Sequence, residues 1–197
     1  MLAGLADHTQ RTRGRALGSL RAWRKDDSGF TAVEFAMVAM PFIMLLFGIL
    51  SVCLYFFTTF TMENAVWQAS RAIRTGQFQQ GQGSYAGMVT LEDRKTAFRK
   101  ALCANAPGFI DCNQAAIIVQ SNTTFGGIVE PACQTNGTMI NPATAGFAPG
   151  GASSVVLITV CYPWKFGGQL PFMKLGDLGD GSLLIQASVA FRTEPYN

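Results

Sequence analysis

The chain has 197 residues, enough for one domain or one domain with an extension. Only 14% of them are charged and 49% are hydrophobic, which excludes the evenly hydrated surface of an ordinary soluble domain, where charged residues make up about a quarter. The whole net charge of +3 lies in residues 1–29, where Arg11, Arg13, Arg15, Arg21, Arg24 and Lys25 outnumber Asp7, Asp26 and Asp27. The remainder is balanced, with no basic patch for nucleic acid.

Residues 1–29 read as a basic tail. From residue 35 to residue 62 no side chain is charged. As a helix that stretch runs roughly 42 Å at ~1.5 Å per residue, more than the ~30 Å core of a bilayer. It is too long for the apolar core of a cleaved secretory signal, about 7–15 residues, and no A-x-A site closes it. Basic flanks stay in the cytoplasm. The sequence therefore predicts a single-pass protein of the inner (cytoplasmic) membrane, with its N-terminus cytoplasmic and the larger part periplasmic.

The helix is predicted over 30–75. Its far end turns amphipathic, with Met62, Val66, Ala69 and Ile73 at helical spacing, and Gly76 is placed to stop it. Pro41 removes a backbone donor and predicts a kink. Ala32 with Ala36, and Ala65 with Ala69, are small-x₃-small pairs of the kind that lets helices approach closely. Arg71 and Arg74 lie just past the apolar run, in reach of lipid phosphates or of the helix C-terminal dipole.

Residues 76–88, rich in Gly and Gln, read as a linker. A second helix is predicted over 91–104, capped by Thr90 with Asp93 three residues on. Leu91, Phe98 and Leu102 form its apolar side, and Arg94, Lys95, Arg99 and Lys100 its wet side. Strands are predicted at 115–120, 155–162 and 183–192, separated by Gly- and Pro-rich turns. The division is thus a tail (1–29), a membrane helix (30–75), a linker (76–88) and a periplasmic domain (89–197). The fold class is α+β: a long N-terminal transmembrane helix, then a small extracytoplasmic domain with one or more helices and a short antiparallel sheet.

Of the five cysteines, Cys53 lies within the apolar run. Cys103, Cys112, Cys133 and Cys161 fall in the outer part, where an oxidising compartment suits disulfides. Four cysteines allow three pairings; Cys103–Cys112 with Cys133–Cys161 is favoured. Zinc spacing is absent, and the single histidine, His8, lies on the other side of the membrane. The outer part offers no nucleophile–base pair, no phosphate-cradling loop and only scattered carboxylates. The predicted protein is not an enzyme and holds no cofactor or metal. Asp177 and Asp180 have calcium-like neighbours, but their spacing fits a tight turn better.

The sharpest local pattern is Ser28-Gly29-Phe30-Thr31-Ala32-Val33-Glu34-Phe35. A glutamate at the mouth of a membrane helix is costly without a partner. Cleavage between Gly29 and Phe30 would create an amine of pKa about 8. Glu34, by then the fifth residue, would lie one helical turn away, and the helix dipole also favours an anion there.

This arrangement resembles the prepilin-peptidase site of type IV pilin-like proteins, where the peptidase cuts after the glycine and the fifth residue is glutamate. Residues 27–76 resemble more specifically the TadE-like family of tight-adherence (Flp) pilus assembly proteins. The resemblance rests on the junction, on Pro41 and Leu45-Leu46-Phe47-Gly48, and on Ala65-Val66-Trp67-Gln68-Ala69-Ser70-Arg71 through Gly76. The strands at 155–162 and 183–192 with Glu194 are more weakly similar. The resemblance implies a pilin-like minor subunit or assembly factor that works by protein–protein contact in pilus biogenesis and adherence. Its implied partners are other pilus or pseudopilin subunits, the inner-membrane assembly platform, a prepilin peptidase and membrane lipid, with Glu34 as the assembly glutamate. Two alternatives stand beside it: a pseudopilin of a type II secretion-like system, and a membrane-tethered periplasmic binding module.

Overall fold

The computed structural model describes residues 30–168 and 176–196. The chain is α+β. A long helix, α1 (Phe30–Arg74), is followed by short α2 (Gln77–Gln80), by α3 (Leu91–Asn105) and by a three-stranded antiparallel sheet. Contacts divide the chain into two units, one ending at Ile49 and one starting at Leu50.

In the first unit, the described part of α1 is apolar on all sides and largely exposed. Phe30, Phe35, Met37, Phe42, Leu45, Phe47 and Ile49 are all exposed. A helix that is apolar all round needs lipid or other helices to cover it. Among the described residues, α1 is the one helix long and apolar enough to cross a membrane.

The second unit opens with the rest of α1 and builds its core on it. Ser51, Thr58, Met62, Ala65, Val66, Ala69, Ser70 and Ile73 are buried, spaced by three, four or seven along one helix face. The packed stripe therefore begins well before Met62, inside the apolar run. Its first members are small and polar: Thr58 turns its hydroxyl back to the Leu54 carbonyl (2.7 Å), the usual way a helix satisfies a buried threonine.

The sheet lies on this stripe. Strand β1 (Ala116–Asn122) pairs with central β4 (Val155–Trp164), which pairs with β5 (Leu183–Arg192). Every residue of β4 is buried, as expected of a central strand covered on both faces. Val156, Ile158, Val160, Tyr162 and Trp164 join the core with α1 and α3. On the other face, Cys161 clusters with Ala116, Ile118, Cys133 and Ala145. Pro163 is tolerated in the middle strand because β1 pairing stops at Cys161, so no ladder bond is lost on that side. A tiny hairpin, β2 (Gln134–Thr135) and β3 (Thr138–Met139), turns on Asn136 and Gly137, both at positive φ, which is the Asn-Gly turn chemistry of two-residue hairpins.

The segment expected as a linker is part of the core. Phe78 and Tyr85 are only 1% and 3% exposed, and Phe78 meets the rings of Tyr85, Phe98 and Phe147 at 5.1, 6.3 and 5.5 Å. Two aromatic rings anchor a stretch whose glycines and glutamines suggested freedom. The compact unit accordingly runs from Leu50.

Helix α3 starts where Thr90 accepts the Asp93 amide (3.1 Å), which satisfies one of the orphan donors of the first turn. It buries Phe98 and Leu102, while Leu91 is exposed. Arg94 and Arg99 do not simply face water. Arg94 donates to the carbonyls of Met88, Phe78 and Gln79, and Arg99 to those of Cys112 and Ala115. Each guanidinium ties a loop to the helix with several donors at once.

At the far end of α1, the chain after β5 closes the helix. The Glu194 amide donates to the Arg74 carbonyl (2.8 Å), one of the unsatisfied carbonyls of the last turn. Gly76 sits at φ +79°, and a Cβ there would run into the Tyr196 ring.

Candidate functional site

The candidate site is the N-terminal stretch of α1 and the surface it presents. Gly29 and the rest of the basic tail lie outside the described residues. Phe30 is the first helical residue, 72% exposed. Glu34 is exposed one turn further on, near enough to the helix start for the positive end of its dipole to act on a carboxylate. Thus Phe30 and Glu34 share the first turn and a half of one helix. The arrangement can do two things: hold a carboxylate against an amine or another donor, and bury apolar surface against lipid or a second helix.

Cys103 is joined to Cys112 and Cys133 to Cys161, with Cα separations of 6.0 and 5.6 Å. The first pair ties the end of α3 to the turn before β1. The second fastens the loop around Cys133 to the outer face of β4, where it closes the smaller apolar cluster. Cys53 is free and exposed on α1.

The turns of the head are held by short side chains. Asp111 accepts from Gln114 and from the Asn113 amide, and these bonds hold its carboxyl below the ordinary range. Asp180 accepts from the hydroxyl and amide of Ser182 and is lowered for the same reason. The aspartate thus serves the turn that its spacing suggested. Burial pushes the Tyr85 and Tyr196 hydroxyls above their usual range.

A cavity of about 460 Å³ opens where β4 ends, lined by Leu54, Thr58, Phe109, Tyr162, Trp164 and Lys165 among others. The sequence did not reveal it. Its walls come from three separate stretches, joined by the Tyr55–Trp164 ring contact at 6.2 Å and by the Asp111 amide donating to the Tyr162 hydroxyl (3.3 Å). An aromatic-basic run, Tyr162-Pro163-Trp164-Lys165-Phe166, was the one local signal.

Residues 29–71 match the TadE-like protein family, the family that the junction resembles. No curated protein and no solved structure matches the chain. The match covers less than half of the chain; the TadE-like family itself is a group of pilin-like proteins associated with tight-adherence pili, non-enzymatic in general.

Proposed function

We propose, from the TadE-like match of residues 29–71, that the chain is a minor pilin-like subunit or assembly factor of a tight-adherence pilus. In this reading α1 is anchored in the inner membrane with the tail cytoplasmic and the head periplasmic. The protein works by binding: its helix against other subunits or the assembly platform, its head against periplasmic partners. A prepilin peptidase cuts between Gly29 and Phe30, and the new amine and Glu34 then meet within or between subunits.

One observation carries this reading: the family match covers the junction and the part of α1 whose large apolar side chains are exposed. The exposed side chains there are large and apolar, a run that a soluble monomer does not usually leave uncovered. Glu34 is the sole charge on it before Glu63, so a partner there selects register as well as affinity, in the way a single polar group does among packed helices.

The test is genetic and chemical. Deletion of the chain is expected to abolish piliation and surface adherence, and Glu34→Ala to reduce both while the protein still accumulates in the membrane. Mass spectrometry of the mature protein is expected to find Phe30 at its N-terminus. Normal pili in the deletion strain would overturn the proposal; an intact residue 1–29 segment in a peptidase-positive cell would overturn the cleavage step alone.

A further inference from the structure

The final two turns of the apolar run are not free helix; they are built into the head. About 20 apolar residues cross a bilayer core, so a span that starts at Phe35 is complete near Leu54. Leu54 and Thr58 line the cavity at the end of β4, and Tyr55 packs on Trp164. The head residues that surround them therefore stand at the depth where hydrocarbon gives way to lipid head groups.

The composition of that end fits the depth. Phe109 and Phe166 are 57% and 50% exposed, although both are large apolar rings. Phe166 packs at a tilt beside Trp164, ring centres 5.7 Å apart, and Lys165 is exposed between them in sequence and makes no ion pair among the described residues. On α1 itself, Leu50, Phe56, Phe57 and Phe60 are exposed in the same unit. Rings with a lysine among them are what an apolar–aqueous boundary selects, the rings in the acyl region and the ammonium reaching to phosphate.

The opposite end of the sheet differs. There Asn122 pairs with Val155 and Val155 with Arg192. Nine steps along β4, from Trp164 to Val155, put this end about 30 Å away at ~3.3 Å per residue. Arg71 and Arg74 lie on the same side, roughly 26–30 Å along α1 from Leu54. Lipid phosphate is out of their reach; Arg74 instead stands over the Trp67 ring at 5.9 Å.

We propose that the Trp164 end of the head, with Phe109, Lys165 and Phe166 around the last turns of the apolar run, is a phospholipid-contacting surface seated in the membrane interface. It rests on the membrane-span reading of α1 and adds that the head is docked on the bilayer rather than held off it. Docking of this kind fixes the tilt and height at which the head meets partner subunits.

The test uses the full chain in nanodiscs of phosphatidylethanolamine and phosphatidylglycerol. In a Cys53→Ser background, nitroxide labels are placed singly by Phe109→Cys, Phe166→Cys, Ile49→Cys and Phe125→Cys. Phe125 is exposed beyond the Asn122 end of β1. Labels at 109, 166 and 49 are expected to be relaxed by oxygen far more than by a water-soluble nickel chelate, and the label at 125 to show the reverse. If 109 and 166 behave like 125 while 49 still favours oxygen, the span stands and the docked surface falls. If 49 also favours nickel, both fall. Shielding of 109 and 166 from both agents would mean a protein occupant, such as a second copy, and would overturn a lipid one. Photoactivatable phospholipid with the unaltered chain provides an independent reading. Adducts on peptides holding Phe109 and Phe166 are expected, and adducts confined to α1 would overturn the proposal.

Discussion

The two parts of α1 share one helix, yet they face different surroundings. Up to Ile49, apolar side chains are exposed all round. From Ser51 onward, one face disappears into the head while Phe56, Phe57 and Phe60 stay outside. The packed face has a local cause. It comes from Ser51, Thr58, Ala65, Ala69 and Ser70, small side chains at helical spacing that let a sheet approach, with Met62, Val66 and Ile73 filling the gaps. Packing is set by shape along a stripe; lipid solubility is set by composition all round.

The sharpest way to break this comparison is to truncate one isoleucine in each part. Ile73→Ala removes a fully buried side chain and is expected to cost the head about 2–5 kcal/mol. Ile49→Ala is expected to leave it within about 0.5 kcal/mol. Denaturant unfolding of the chain in detergent micelles, followed by tryptophan fluorescence, measures both; equal costs would erase the distinction between the two parts.

Next in size is the bridge that supports the second part from behind. The Cys133–Cys161 disulfide closes a separation of 28 residues, and loop-closure entropy of that length corresponds to roughly 3.5 kcal/mol. Replacing both cysteines by serine is expected to lower stability by about 2–4 kcal/mol. Cys53→Ser, on the exposed side of α1, is expected to leave unfolding unchanged in the same micelles.

Gly76→Ala probes where the packed part ends. The positive φ and the Tyr196 ring both oppose a Cβ, and a loss of about 1–3 kcal/mol is expected. The double variant with Tyr196→Ala should recover the steric share but not the backbone share, measured by thermal unfolding.

The smallest effect is one of pH and belongs to the head alone. Asp111 and Asp180 have folded pKa values lowered by hydrogen bonds. Their contribution is therefore complete above the ordinary carboxylate range and is lost as the pH falls through the folded values. A shallow drop in the melting temperature is expected on acidification through that window, and Asp180→Asn should flatten part of it.

Much of this architecture is legible in the sequence, and the illegible parts have physical reasons. The apolar run, the Thr90 cap, the second helix and the strands at 155–162 and 183–192 declare themselves through composition and period. The packed stripe before Met62 does not, because Ser51 and Thr58 look like interruptions of an apolar helix rather than its contact face. Phe78 and Tyr85 were hidden among glycines and glutamines, since a single ring anchors a segment without changing its average composition. Arg94 and Arg99 look like solvated charges because the carbonyls that they bind are distant in sequence. The hairpin at Asn136-Gly137 had a readable signal, the dipeptide itself, but flanking strands of two residues have no period. At the candidate site, the junction singles out Phe30 and Glu34 by pattern, and the structure places both in the first turns of α1. The aromatic end of the head was not readable, because Leu54, Phe109, Trp164 and Lys165 meet only in three dimensions.

Alkaline carbonate extraction of membranes from cells that make the full chain tests the central claim, that the first part of α1 has lipid as its solvent while the second has protein. The chain is expected to stay in the pellet and to be released by detergent alone, with its head disulfides intact. Recovery of the chain in the carbonate supernatant would contradict the account.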